Sequence, residues 1–380
     1  KVLYDHQIFS MQPLGGISRY YVEMIDRYEK QADIEPVIAA GEVLTFDLRA
    51  TATYRTQNPR PSAMKRKLFA LSKDRAGVDL MYWSNMRRSL KAVKKGDFDV
   101  FQPTYYDPYF LDAIGSKPFY LEVHDMIHEL YPELFPGSPV SAWKKRLVER
   151  AARIVTVSDS TRSDLVRLFG VEPGRVRTIH QGVSLRPELS RPQDAPSDLP
   201  ERYVLFVGKR SGYKNFDRFA EVMSRLMSED RGLHLVCAGG GPFSPAEAAT
   251  LERLGIGTRS RQSAVSDSAL CQLYARARAF VFPSLYEGFG LPVLEAFACG
   301  CPAVLACASS LPEIGGDAAV YFDPQDAGSM EEALGRTALD DRQRERMVAL
   351  GRERVKQFSW DRTAEETQKV YREMAGSNLD

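Results

Sequence analysis

Ser284-Leu285-Tyr286-Glu287-Gly288-Phe289-Gly290-Leu291-Pro292-Val293-Leu294-Glu295-Ala296 decides the reading of this 380-residue chain. The apolar run Ala279–Phe282 ends just before it and reads as a buried strand. Gly288 and Gly290 then make a turn in which backbone amides can come close to a ligand, and a helix follows at once. Pro292 suits a first helical position and Gly300 the place just past a last one, which predicts a helix over Pro292–Cys299. Strand, glycine turn and helix N-terminus together bind anions, most often phosphate. Two carboxylates flank the turn: Glu287 within it and Glu295 about one helical turn on. A paired-carboxylate hydrolase would need a separation of ~5–9.5 Å across the scissile bond, which this spacing does not establish. Beside a phosphate site, such carboxylates accept hydrogen bonds from sugar hydroxyls. Taken alone, the segment also fits a plain glycine turn with a capping carboxylate.

Working outward, strands and helices alternate along both halves. Lys1–Tyr4, Val37–Ala40, Val100–Gln102, Phe119–Val123 and Ile154–Val157 read as strands, with helices over Ile17–Tyr28, Ser141–Ala152 and Ser160–Phe169. Ser160 is the expected cap of the last of these. Four prolines between Arg186 and Pro200 predict a linker. After it come strands at Tyr203–Val207, Leu233–Ala238, Ala279–Phe282 and Ala303–Leu305, and helices at Phe216–Met227 and Asp267–Ala277. From Ser329 onward the chain reads as helical. This order predicts parallel sheets of βαβ units in two domains facing across a cleft.

Composition agrees. Hydrophobic residues at 44% and charged residues at 27% belong to a globular protein, and no apolar run is long enough to span a bilayer. A net charge of +1 argues against a nucleic-acid partner. The five cysteines are odd in number and lack paired spacing, so a disulfide framework and a zinc ribbon are not expected. With no signal-peptide pattern before Val2-Leu3-Tyr4, the expected location is cytoplasmic.

Further landmarks extend the pattern: Gly15-Gly16-Ile17-Ser18-Arg19-Tyr20, His124-Asp125, Val157-Ser158-Asp159-Ser160, Phe206-Val207-Gly208 through Lys214-Asn215, Leu311-Pro312-Glu313 and Phe358-Ser359-Trp360. With Glu287-x7-Glu295, this ordered set resembles the retaining family-4 glycosyltransferases (group 1) of the GT-B fold over nearly the whole chain, and the local wording is similar to bacterial polysaccharide mannosyltransferases. The resemblance implies two Rossmann-like doubly wound domains. Residues 1–186 would take the acceptor, 187–200 would link, 201–357 would bind the nucleotide-sugar donor, and 358–380 would cross back to the first domain.

Site roles also follow from the resemblance. Glu287 would bind hydroxyls of the donor sugar, and Glu295 the ribose. The amides of Phe289, Gly290 and Leu291 would face the diphosphate. His124 would lie at the reacting carbon, with Lys214 on the phosphates; Gly16 and Gly208 would be donor-side, and Gly15, Arg19 and Asp125 acceptor-side. The family text has Arg before Lys-Asn where this chain has Tyr213, so Lys209 or Arg210 would supply the second cation. The implied activity is metal-independent, retaining sugar transfer to a glycan or polyprenyl-linked acceptor, with GDP-mannose the first choice of donor and a UDP-sugar the second. A non-catalytic nucleotide-sugar-binding subunit and a phosphorylase are the alternatives. No cofactor and no metal are expected.

Rival motifs fall away. His124-Asp125-x-x-His128 is not His-Glu-x-x-His, and Pro132 and Pro136 oppose a long helix there. Asp97-Phe98-Asp99 spells a metal-binding Asp-x-Asp but reads as a turn leading into a strand. Gly239-Gly240-Gly241 lacks the third glycine of a dinucleotide fingerprint, Ser244 standing in its place. Arg60 to Lys95 holds eleven basic residues against two acidic, an excess of +9 in a chain whose total is +1. Interleaved with Met64, Leu68, Phe69, Met81, Tyr82 and Trp83, this stretch suits an anionic membrane surface or a lipid diphosphate, and equally a solvated helix pair.

Overall fold

The computed structural model describes residues 1–31, 33–58, 69, 79–185, 187–263 and 266–376. Arg60, Lys65, Arg66, Lys67, Lys73 and Arg75 of the basic stretch lie outside the described residues. Two compact units form: residues 1–157, 162–180 and 360–380 make the first, and residues 158–161 and 181–359 the second.

In the first unit, β1 (Val2–Tyr4) pairs in parallel with β2 (Pro36–Ile38) and β3 (Val100–Gln102). A bridge from Phe101 to Phe119 leads on to β4 (Tyr120–Val123), β5 (Arg153–Thr156) and β6 (Val176–Thr178), again all parallel. The core is rich in tyrosine, and a buried tyrosine needs a partner for its hydroxyl. Tyr20 and Tyr120 both donate to Glu122 Oε2, at 3.1 and 2.6 Å, Tyr28 donates to the Ala364 carbonyl, and Tyr371 donates to Gln102 Oε1. The Tyr28 bond and the Arg27–Asp361 ion pair fasten the helix Trp360–Gly376 against Gly16–Tyr28, and Tyr371 ties it to β3.

The second unit holds one six-stranded parallel sheet in the order β12-β11-β10-β7-β8-β9. Its members are β7 (Tyr203–Val207), β8 (His234–Ala238), β9 (Ser260–Ser263), β10 (Ala279–Phe282), β11 (Ala303–Ala306) and β12 (Ala319–Phe322). The central strands β7 and β10 are buried throughout, as a parallel sheet covered on both faces requires. The helix Phe216–Glu229 buries Phe216, Phe219, Ala220, Met223, Leu226 and Met227, the spacing of one helical face. In sequence order the sheet runs 6-5-4-1-2-3, so the order reverses between β7 and β10. A doubly wound sheet takes its ligand at the carboxyl ends of the strands beside such a reversal.

One expectation is corrected and the pattern is extended. The helix Asp159–Phe169 is capped by Ser158, whose Oγ accepts from the Thr161 amide, and not by Ser160. The proline-rich segment is fastened to the second unit: Ser190 Oγ donates to the Ser268 carbonyl, and Arg276 donates to that of Pro192. The helix Pro245–Arg253 and the edge strands β6, β9 and β12 add to the elements foreseen, and the described end of the basic stretch is the helix Leu80–Lys95.

Candidate active site

In the second unit, the loops after β7 and β10 meet at the switch point, joined by the Leu285 amide donating to the Tyr213 carbonyl. Lys214 Nζ forms an ion pair with Glu287 Oε1, both side chains being 13% exposed. The ammonium also lies 4.9 Å from the Tyr213 ring centroid and 5.0 Å from that of Phe282. Tyr213, standing where a cation was expected, therefore supports Lys214 with its ring. Asn215 takes a left-handed φ of 58°, and its amide nitrogen donates to the carbonyls of Pro283 and Pro324. That bracket holds Lys214 at the carboxyl edge of the sheet.

The Glu287 loop is held from three sides. Its amide donates to Ser309 Oγ at 2.8 Å, and Ser310 Oγ bonds the carbonyls of Glu287 and Phe289. The hydroxyls of Ser158 and Thr161 donate to the Gly288 carbonyl. The Glu313 carboxylate accepts from the amides of Asp159 and Ser160. Gly290 has a φ of 109°, and a Cβ there would come within 3.1 Å of Leu311 Cδ2, so only glycine lets the chain turn directly into the helix Leu291–Ala298. Its opening amides, at Leu291 and beyond, follow the turn of Phe289 and Gly290. Glu295 is half-buried on this helix and accepts from the Tyr274 hydroxyl at 3.3 Å.

Arg210 is not available to a ligand. Its side chain is 1% exposed, pairs with Glu247 at 3.0 Å and donates to the carbonyls of Gly239, Gly241 and Pro242. The triple glycine is thus a brace for Arg210: a Cβ on Gly240 would lie 2.6 Å from the Gly208 carbonyl oxygen. Of the two cations proposed beside Lys214, Lys209 is exposed and Arg210 is buried, while Gly208 follows β7 with a φ of 118°.

In the first unit, His124 directly follows β4 in a nest of aromatic rings, with Tyr20 and Tyr21 edge-on at 5.6 and 6.1 Å. Burial pushes its pKa down to about 4, against the pull of Asp125, so the imidazole is neutral at neutral pH. Its Nε2 is buried and has no partner among the described residues. Asp125 turns to the loop: its Oδ1 accepts from the Ile127 amide and lies 3.8 Å from Lys144 Nζ. Gly15 precedes Gly16–Tyr28 with no side-chain cap, and Arg19 is half-buried one residue before Tyr20. Asp97 and Asp99 are exposed ahead of β3, with Asp97 paired to Lys95 and Lys1, as a turn would leave them.

Sequence reasoning missed Ser309, Ser310 and Tyr274. Ser309-Ser310 just before Leu311-Pro312-Glu313 was the available signal, a hydroxyl pair at a helix start.

The glycosyl transferases group 1 profile matches residues 190–354, and the glycosyltransferase family 4 profile residues 14–186. O-antigen chain mannosyltransferase B of Escherichia coli is 30% identical over 375 residues, covering 95% of this chain and 96% of its own. The MMP α-(1→4)-mannosyltransferase of Mycolicibacterium hassiacum is 32% identical over 393 residues, with 97% and 90% covered. Among solved structures, sucrose-phosphate synthase from Thermosynechococcus elongatus superposes with a TM-score of 0.73 over 99% of both chains at 18% identity. Each unit carries the parallel, Rossmann-like sheet of the GT-B fold, and the chain belongs to the group 1, family 4 glycosyltransferases.

Proposed function

We propose that this protein transfers a sugar from a nucleoside diphosphate sugar to a glycan or lipid-linked acceptor in polysaccharide assembly, with retention and without a metal. The observation that carries the reading is the Lys214–Glu287 pair beside a helix N-terminus at the switch point of a doubly wound sheet. Charge builds on the diphosphate as the glycosidic bond breaks. Lys214, Lys209 and the amides opening Leu291–Ala298 are suited to meet that charge, which is the main part a protein plays in such a transfer. Glu287, held by its backbone to Ser309 and Ser310, would accept hydroxyls of the departing sugar, and Glu295 those of the ribose. The acceptor hydroxyl would attack on the leaving-group face and lose its proton to a phosphate oxygen, so no separate protein base is called for. His124, neutral and with an unengaged nitrogen, would bond a sugar hydroxyl without adding charge.

GDP-mannose is the first choice of donor, supported by two relatives described as mannosyltransferases; a UDP-sugar is the second. A non-catalytic subunit is disfavoured because the Lys214–Glu287 pair and the unpartnered His124 Nε2 have no structural use that explains both. No helix among the described residues is long and apolar enough to cross a membrane, and we propose association with the cytoplasmic face through the basic stretch. Its described part, Leu80–Lys95, exposes Trp83, Arg87, Arg88 and Lys91. The test is release of GDP from GDP-mannose with a lipid-linked oligosaccharide acceptor, and the anomeric configuration of the product by NMR. An inverted product, or no release from any nucleotide sugar, would overturn the reading.

A further inference from the structure

The first unit has a cavity of about 350 Å³ in the segment that follows His124, lined among others by His128, Glu129, Phe135, Ser138, Ser141 and Phe169. Its polar equipment is unusual. Lys144 is fully buried and donates to Glu129 Oε2 at 2.9 Å and to the Asp125 carbonyl at 2.8 Å. The Glu129 side chain is 4% exposed, and its second oxygen, Oε1, is buried with no partner among the described residues; so is His128 Nδ1. A buried carboxylate oxygen left without a donor loses its hydration with nothing in return, so a ligand donor is the natural complement. The Phe135 and His128 rings stack on each other, 4.1 Å apart at 31°, and Ser138 and Ser141 add hydroxyls.

This set selects by exclusion. The cation at hand, Lys144, is spent on Glu129 and a carbonyl, so phosphate, carboxylate and nucleotide ligands would meet an acceptor oxygen with no charge to balance them. An apolar ligand would leave Glu129 Oε1 and His128 Nδ1 unpaired. A neutral ring bearing adjacent hydroxyls offers hydrogen-bonding groups for both and an apolar C–H face for Phe135. The volume is within the range of small-molecule sites.

We propose that this cavity is a saccharide subsite holding one neutral hexopyranose unit of the acceptor, with Glu129 Oε1 accepting from its hydroxyls, Ser138 and Ser141 bonding its rim and Phe135 packing on its face. The inference rests on the transferase reading and specifies its acceptor. It makes the acceptor a glycan already carrying at least one neutral sugar.

The probe is methyl α-D-mannopyranoside, with methyl α-D-glucopyranoside beside it, in saturation-transfer difference NMR on the full chain. Ser141→Leu fills the cavity and Phe135→Ala removes an aromatic ring that lines it, so one variant tests the site if the other is unstable. Each should weaken the sugar signal about five-fold or more and raise the acceptor KM by a similar factor, while donor KM and stabilisation by GDP stay unchanged. Inorganic phosphate should not displace the sugar. Absence of a sugar signal in the wild type, a signal unchanged in both variants, or displacement by phosphate would overturn the subsite. Failure of GDP to bind would instead sink the transferase reading, and the sugar signal would still report on the cavity.

Discussion

Replacing Glu122 by Gln should make the first unit more stable at pH 7.5 and nearly neutral in effect at pH 5. Burial raises the Glu122 pKa from 4.5 to about 8, although Tyr120 and Tyr20 both donate to it. The unfolded chain sheds this proton near pH 4.5 while the folded chain keeps it. Unfolding therefore releases a proton throughout that window, and stability falls as pH rises from about 4.5 to about 8. Each pH unit inside the window costs up to ~1.4 kcal/mol, so the step from pH 5.5 to 7.5 is worth roughly 3 kcal/mol at most. Gln keeps an oxygen to accept from Tyr20 and Tyr120 and carries no titration. Trp83, Trp143 and Trp360 are all the tryptophans of the chain and all lie in the first unit, so tryptophan fluorescence in urea follows that unit selectively. The buried His124 opposes the trend at acid pH, where its depressed pKa removes stability as pH falls from 6.5 towards 4, but it is common to both proteins and cancels in their difference. Wild-type and Glu122→Gln stabilities that run parallel across pH 5.5 to 7.5 would refute the reasoning.

Glu287→Ala should lower kcat by about 10²-fold or more, whereas Glu295→Ala should mainly raise the donor KM; equal, small effects on every constant would undo the division of roles. Turnover should survive excess EDTA, and complete loss restored by Mn²⁺ or Mg²⁺ would show that a metal is needed. Charge reversal at Arg87, Arg88 and Lys91, exposed on Leu80–Lys95, should reduce co-sedimentation with anionic vesicles at low salt and leave donor binding intact. Unchanged sedimentation would return that helix to a solvated face.

What the sequence disclosed was whatever left a local mark. The buried strands β7 and β10 stand out because both faces must be apolar, and the helix Leu291–Ala298 because Gly290 and Pro292 punctuate its start. β9, with the polar residues Ser260-Arg261-Gln262-Ser263, could not be seen: it is an edge strand, half-exposed along its length and defined by its partner β8. Site chemistry divided in the same way. Glu287 and Lys214 carry the motif, but their pairing joins residues 73 positions apart and exists only once β7 and β10 lie side by side. Arg210 looked as good a phosphate ligand as Lys209, because nothing local reveals Glu247 and the three carbonyls that claim it. Ser309 and Ser310 left only the mark of a hydroxyl pair at a helix start, which does not tell that they brace the Glu287 loop.

Binding of nucleoside diphosphates, followed by thermal unfolding of wild type and Lys214→Ala, tests the donor site most directly. A ligand bound only by the folded state at about 100 times its Kd adds ~2.7 kcal/mol of stability. The wild type should be stabilised by GDP above UDP and ADP, and the Lys214→Ala variant should lose most of that shift while keeping its own transition in the absence of nucleotide. No stabilisation of the wild type by any of the three, or an equal shift in Lys214→Ala, would contradict the assignment of Lys214 and the β7–β10 switch point to the donor diphosphate.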